Sequence, residues 1–392
     1  MKMKIDKTVL ISACHLYIHL GMLTLPAMFI PIMHDFGIGL ARVAWISTVA
    51  LIAFGAGSLP AGFLIDRVGP KKMLIISIIG FSITLMLTSL ANSPLTLAIT
   101  FGIAAAFGSL YHPTGLSYLS LSSENVIKAM SIFGIFGNIG LGLGPLSAAG
   151  LFLLGGWHLV FAGSGFLGLI ILVLIISSIT ETTVIPNKEH KVKERMGLEK
   201  SILYYIPLFI TATFIGFFIN GITSLLPAFS YEKMSSWFSD VRQVVAGNIT
   251  ASIILLMGIV GQIFTARLKS HMKIINYIIF NLIILIIILV FLAILPGIWA
   301  IPLGLLMSPL YFAIQPLMNT LSGTVSTAEM RGRVYGFVFG LYFGVGSLGT
   351  GLGGMIAERA GFRWTFLLFA LTSLIALLLS LNMKRRYKLD NN

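Results

Sequence analysis

Long apolar runs alternate with short polar or basic clusters from one end of the chain to the other. The runs lie at 8–33, 43–65, 73–91, 95–120, 127–153 and 157–179, then at 203–229, 243–266, 273–295, 298–320, 333–357 and 363–383. A helix crosses the hydrocarbon of a bilayer in about 20 mostly apolar residues, so each run is long enough for one crossing. Strands of a membrane barrel would alternate apolar and polar positions; the stretch 274–295, IINYIIFNLIILIIILVFLAIL, does not. The pattern predicts an all-α integral membrane protein of about 12 transmembrane helices.

Composition agrees. Soluble domains carry about a quarter charged residues, whereas this chain of 392 residues is 57% hydrophobic and 10% charged. No water-soluble fold buries that much apolar surface, which excludes the soluble enzyme classes. A net charge of +13 would suggest nucleic acid in a soluble protein, but membrane proteins gather Lys and Arg in cytoplasmic loops. With the N-terminus inside, 21 of the 26 Lys and Arg fall on the inner side, at 2–7, 67–72, Lys128, 188–200, 267–273, 331–333 and 384–388. Arg42, Lys233, Arg242, Arg359 and Arg363 remain outside. This bias predicts a multi-pass protein of the plasma membrane with both termini cytoplasmic, and a lipid bilayer rather than nucleic acid as its surroundings. The basic start MKMKIDK imitates a secretory leader, but the apolar stretch behind it is long and has no small-x-small cleavage site, so it reads as a retained first span. Cys14 is the sole cysteine, so no intramolecular disulfide forms.

The one long polar stretch, 181–202, divides the chain into an N-terminal bundle of six helices (1–180) and a C-terminal bundle of six with a short basic tail (203–392), joined by a cytoplasmic linker. The halves repeat each other: His19 and Pro26 match Asn220 and Pro227, Pro113 matches Pro316, and GWHLVF (156–161) matches GFRWTF (361–366). Glu124 and Lys128 likewise match Glu329 and Arg333. Internal duplication of this kind is how many transporters are built.

Between the second and third runs stands GFLIDRVGPKK (62–72). It resembles the loop signature of the major facilitator superfamily, with Pro70 where a basic or polar residue is usual. Gly62 permits close helix approach, Asp66 suits the positive N-terminus of a neighbouring helix, and Arg67, Lys71 and Lys72 anchor the cytoplasmic face. The resemblance implies two pseudo-symmetric six-helix bundles in the major facilitator fold, and gate roles for Gly62, Asp66, Arg67, Lys71 and Lys72, with Glu124 and Arg333 as further gate candidates. A decayed copy, GQIFTARLKSHMK (261–273), keeps Arg267 but has no Asp, so asymmetric gating is expected.

YHPTG (111–115), SIFGIFGNIGLGLGP (131–145) and CHLYIHLGMLTLP (14–26) are similar to the fosmidomycin-resistance branch of that superfamily. The G-x-x-x-G-P of Gly140, Gly144 and Pro145 also resembles an antiporter signature, in which the glycine face packs tightly and the proline bends the helix. The resemblance implies a secondary transporter moving a small organic molecule by alternating access, as proton-coupled efflux, and not an enzyme.

All 13 carboxylates fall in loops or at run ends. The ionisable groups left at depth are His15, His19 and His112, and such groups are costly in a membrane and usually functional. His15 and His19 are one turn apart and share a helix face. Each imidazole could carry a proton or meet an anionic group, and a helical His pair could ligate a metal. With no carboxylate or Cys to complete a metal site, neither a metal nor a cofactor is assigned, and an intramembrane His-metal enzyme ranks last. Asn138, Asn220, Gln315 and Asn319, with Tyr111, complete the candidate substrate- or proton-binding set. A cavity of amides and aromatics suits a neutral, zwitterionic or amphiphilic solute, or an anion met by protonated His. An uncoupled facilitator is the alternative mechanism, and a monomer is expected.

Overall fold

The computed structural model describes residues 7–122, 126–178, 198–265, 271–295, 297–325 and 331–389, and among these the ordered elements are helical. They are α1 (Lys7–Met22), α2 (Thr24–Ala27), α3 (Phe29–Phe36), α4 (Leu40–Val68), α5 (Pro70–Thr88), α6 (Pro94–Ser109), α7 (Tyr111–Ser122) and α8 (Val126–Ser178) in the first half. The second half holds α9 (Leu198–Met234), α10 (Asp240–Leu256), α11 (Gly258–Thr265), α12 (His271–Ile294), α13 (Ala300–Val325), α14 (Arg331–Phe339), α15 (Leu348–Ala360) and α16 (Phe362–Leu389). A π-helical segment, Gly340–Gly344, and a 3-10 turn, Val345–Ser347, join α14 to α15.

Ten stretches of the described residues are long and apolar enough to cross a membrane. One of them, Ile132–Ser178, runs 47 residues, about twice a single crossing. It is interrupted at Gly155 and Gly156, and Gly156 sits at φ 71°, ψ −173°, a conformation open essentially to glycine alone.

The first apolar run is not one helix, as the sequence pattern suggests, but three. Proline deprives the carbonyl four residues before it of a partner and crowds it. Pro26 and Pro31 stand four residues after Met22 and Ala27, where α1 and α2 end. Residues 62–72 are not a loop either. Helix continues through Val68, Gly69 alone turns the chain at φ 87°, and Pro70 opens α5 at its first position. Proline is favoured there, because the first helical N–H has no intrahelical partner, which explains its presence in an otherwise basic motif. The residues of the expected linker that precede Leu198 lie outside the described residues from 179 onward, and α9 already begins within that linker's C-terminal part.

Glycine lets helices meet backbone to backbone. A Cβ on Gly140 would strike the Leu16 carbonyl, and one on Gly144 would come within 2.7 Å of Leu23 Cβ, so α8 lies directly on α1. The second half repeats this contact between Gly349 and the Phe217 carbonyl. Across the halves, a Cβ on Gly55 would meet the backbone of Gly344, and one on Gly354 would meet Ala44. Thr48 Oγ1 donates to the Ser347 carbonyl at 3.3 Å, and Asn248 Nδ2 donates to the Ala27 carbonyl at 3.0 Å. Such interhelical bonds average only about 0.6 kcal/mol within membranes, so close packing contributes more to holding the halves together. Apolar side chains also cover the outside: Val173 and Leu306 are 66% and 62% exposed, a surface suited to lipid rather than water.

Candidate functional site

Pro113 organises the site. It removes a helical hydrogen bond, and the chain breaks at Leu110 between α6 and α7, where Thr114 Oγ1 takes up the Leu110 carbonyl at 2.6 Å. The break places Tyr111 and His112, both buried, against α1 and α8. On α1 the i, i+4 spacing brings His15 and His19 together, with their Nε2 atoms 3.0 Å apart. His112 completes a group of three imidazoles, one ring nitrogen of each lying within 4.8 Å of the others. All three are at most 9% exposed.

Hydrogen bonding fixes the tautomers. His15 Nδ1 lies 2.7 Å from the Phe133 carbonyl, and a carbonyl only accepts, so Nδ1 bears the hydrogen. A neutral His15 then presents a lone pair at Nε2, and His19 donates to it from Nε2–H. His112 Nε2 has no hydrogen-bond partner among the described residues.

Aromatic rings enclose the group. Phe133 stacks on His15 with centroids 3.8 Å apart, and Phe54 meets His112 edge-on at 5.6 Å. Tyr111 stacks at 5.8 Å from His15 while its hydroxyl donates to the Ile11 carbonyl. From the second half, Phe339 and Phe343 stack on His112 at 5.8 and 6.3 Å. The cluster therefore lies where the first half touches the irregular stretch between α14 and α15.

The other candidates are placed separately. Asn138 is buried on α8, its Nδ2 without a hydrogen-bond partner among the described residues. Asn220 Nδ2 donates at 2.7 Å to the Tyr342 carbonyl inside the π segment, where it supports irregular backbone of the second half rather than joining the imidazoles. Gln315 and Asn319 are half-buried on α13 and make no hydrogen bond or ring contact with the three imidazoles. Among the gate candidates, Arg67 and Lys72 are exposed and Lys71 half-buried. Glu124 lies outside the described residues, as do the side groups of Gly62, Asp66 and Arg333.

Glu358, which sequence reasoning did not single out, forms a contact between halves. Its Oε2 accepts from the Ala41 N–H at 2.6 Å. The N-cap of α4 is Gly39, which has no side chain to do this, and a Cβ there would collide with the Glu358 carboxylate. A carboxylate from α15 thus caps a helix of the other half. Nearby, Trp157 Nε1 donates to Asp35 Oδ2 at 2.9 Å. Nothing in the sequence announces a partner 317 positions away.

The family model described as Major Facilitator Superfamily matches residues 11–350. The multidrug efflux pump Tap of Mycolicibacterium fortuitum is 24% identical over 378 residues, covering 87% of this chain and 88% of that protein. The gallate transporter of Pseudomonas putida is 30% identical over 148 residues, covering 37% of this chain; the match spans 32% of that protein. Among solved structures, a D-xylose-proton symporter superposes with a TM-score of 0.77 at 14% identity, covering 95% of this chain and 96% of that one.

Proposed function

The chain belongs to the major facilitator superfamily, and we propose that it is a secondary transporter, not an enzyme, exporting a small organic molecule from the cell by alternating access. The observation that carries this reading is the position of the polar cluster. His15, His19, His112 and Tyr111 come from the first half, and His112 meets Phe339 and Phe343 of the second, so a solute held there changes its surroundings when the halves tilt. The efflux function of Tap, which matches along most of both chains, supports export. The motifs at 14–26, 111–115 and 131–145 support a place near the fosmidomycin-resistance branch.

In this reading the halves are duplicated six-helix bundles with twelve crossings and both ends cytoplasmic. The three broken helices of residues 7–36 supply one crossing, and α8 supplies two. The Leu16–Gly140 and Phe217–Gly349 contacts, one in each half, support the duplication. Gly62, Asp66, Arg67, Lys71, Lys72, Glu124 and Arg333 form the cytoplasmic gate, and the transporter works as a monomer.

Concentrative export requires a coupled ion gradient, and the proton is the proposed ion. Protein reconstituted in vesicles and loaded with an identified solute is expected to move it faster when a pH gradient is imposed. A rate indifferent to the gradient would replace this mechanism with an uncoupled facilitator.

A further inference from the structure

We propose that His15, His19 and His112 form a binding site for a divalent late first-row transition-metal ion, held by three imidazole nitrogens with the fourth position open to an anionic donor. The donors are already gathered. Tetrahedral zinc sites hold nitrogen at about 2.0–2.1 Å from the metal, which sets neighbouring nitrogens about 3.3–3.4 Å apart. Here the His15 and His19 Nε2 atoms are 3.0 Å apart, and all three ligating atoms lie within 4.8 Å of one another. Small side-chain rotations close the site; His19 passes to the tautomer with its ring hydrogen on Nδ1, which frees the Nε2 lone pair, and the ion replaces the hydrogen bond between His15 and His19.

The outer shell fits as well. Metal-bound histidines ordinarily donate the second ring N–H to a carbonyl or carboxylate, which fixes the free lone pair toward the ion. His15 Nδ1 does this to the Phe133 carbonyl at 2.7 Å. Among the described residues His112 Nε2 is buried without a hydrogen-bond partner, an arrangement that is costly unless something occupies it. A metal lone-pair acceptor at the centre satisfies it.

The donor set names the ion class. Imidazole suits zinc, copper, nickel and cobalt, whereas magnesium and calcium require oxygen ligands. No carboxylate reaches the group among the described residues, so three neutral donors leave the ion's double charge uncompensated in a low-dielectric region. The fourth ligand is therefore an anionic donor such as hydroxide, chloride, or the carboxylate or phenolate of a solute. The contact of His112 with Phe339 and Phe343 of the other half makes this a cargo position rather than a static staple, and that role, though not binding itself, rests on the transport reading.

The test uses the full chain in detergent, free of any polyhistidine tag, titrated with Co2+ alone. The expected result is one equivalent bound, with the visible absorption of tetrahedral cobalt. Affinity should fall in His19→Gln and in His112→Gln by at least the roughly 10–100-fold that losing an outer-shell partner costs. His158→Gln, at the bundle surface, should bind as the parent does. Absence of the tetrahedral signal, or a signal retained in both His19→Gln and His112→Gln, overturns the site. Zn2+ X-ray absorption on the unsubstituted protein gives an answer even where a variant does not fold: three imidazole scatterers support the site, and fewer refute it. Neither readout involves translocation, so a missing metal leaves the transport reading standing, and failed transport leaves the metal site standing.

Discussion

Gly140→Val is expected to yield little or no correctly folded protein. A Cβ at this position falls on the Leu16 carbonyl, which is backbone of α1 and cannot rotate away as a side chain would. Relief requires α1 to separate from α8, breaking the contact that carries His15 against Phe133. Overpacking a core costs about 1–3 kcal/mol where side chains give way, and a backbone obstacle places this variant at or above that range. The loss should appear as a collapsed monodisperse fraction in detergent and a lowered thermal midpoint. Gly150→Ala is the matched control on the same helix, because a Cβ there meets nothing within 4 Å, and it should behave as the parent.

Glu358→Ala is expected to leave folding intact and to shift the balance between conformations. The carboxylate reaches from α15 to the Ala41 N–H of α4 and is the cap that Gly39 cannot supply. A charge-assisted bond contributes about 1.5–3 kcal/mol where buried; at this exposed position about 1 kcal/mol or less is realistic. That corresponds to roughly a fivefold change in the ratio of closed to open forms at this end of the bundle. Spin-label distances between α4 and α15 should show the longer population enriched. Glu358→Gln, which keeps an acceptor but loses the charge, should fall between parent and alanine. Equal distance distributions in all three proteins would remove Glu358 from any gating role.

Much of the helical arrangement was legible in the sequence, because lipid imposes a single rule on spanning segments and the apolar runs obey it. Where the reading erred, the cause was local backbone chemistry. Pro26 and Pro31 were visible, but their breaks at Met22 and Ala27 follow from the carbonyl four residues upstream, which a hydropathy run does not weigh. The turn at Gly69 was masked by a motif whose charges read as loop, although helix carries them up to the glycine on both sides.

The candidate site was legible only in part. The pairing of His15 with His19 follows from helical spacing, and Pro113 marked the neighbourhood of His112. That His112 joins them depends on how α7 leans on α1, a tertiary fact. Phe54, Phe339 and Phe343 carried no signal at all, since a phenylalanine in a membrane helix is ordinary among the 28 in this chain. Asn220 reads as a polar group in a cavity, yet its amide serves the π segment, an irregularity that residues 340–344 do not advertise.

Transport by alternating access requires the two halves to part and rejoin at the end of the bundle where Glu358 meets Ala41. The direct measurement joins Cys residues placed at these two positions, in a Cys14→Ser background, with a short cleavable thiol cross-linker, and follows solute flux in vesicles. Flux should stop on cross-linking and return when the linker is cut. Undiminished flux with the linkage complete would contradict a mechanism in which the halves separate here.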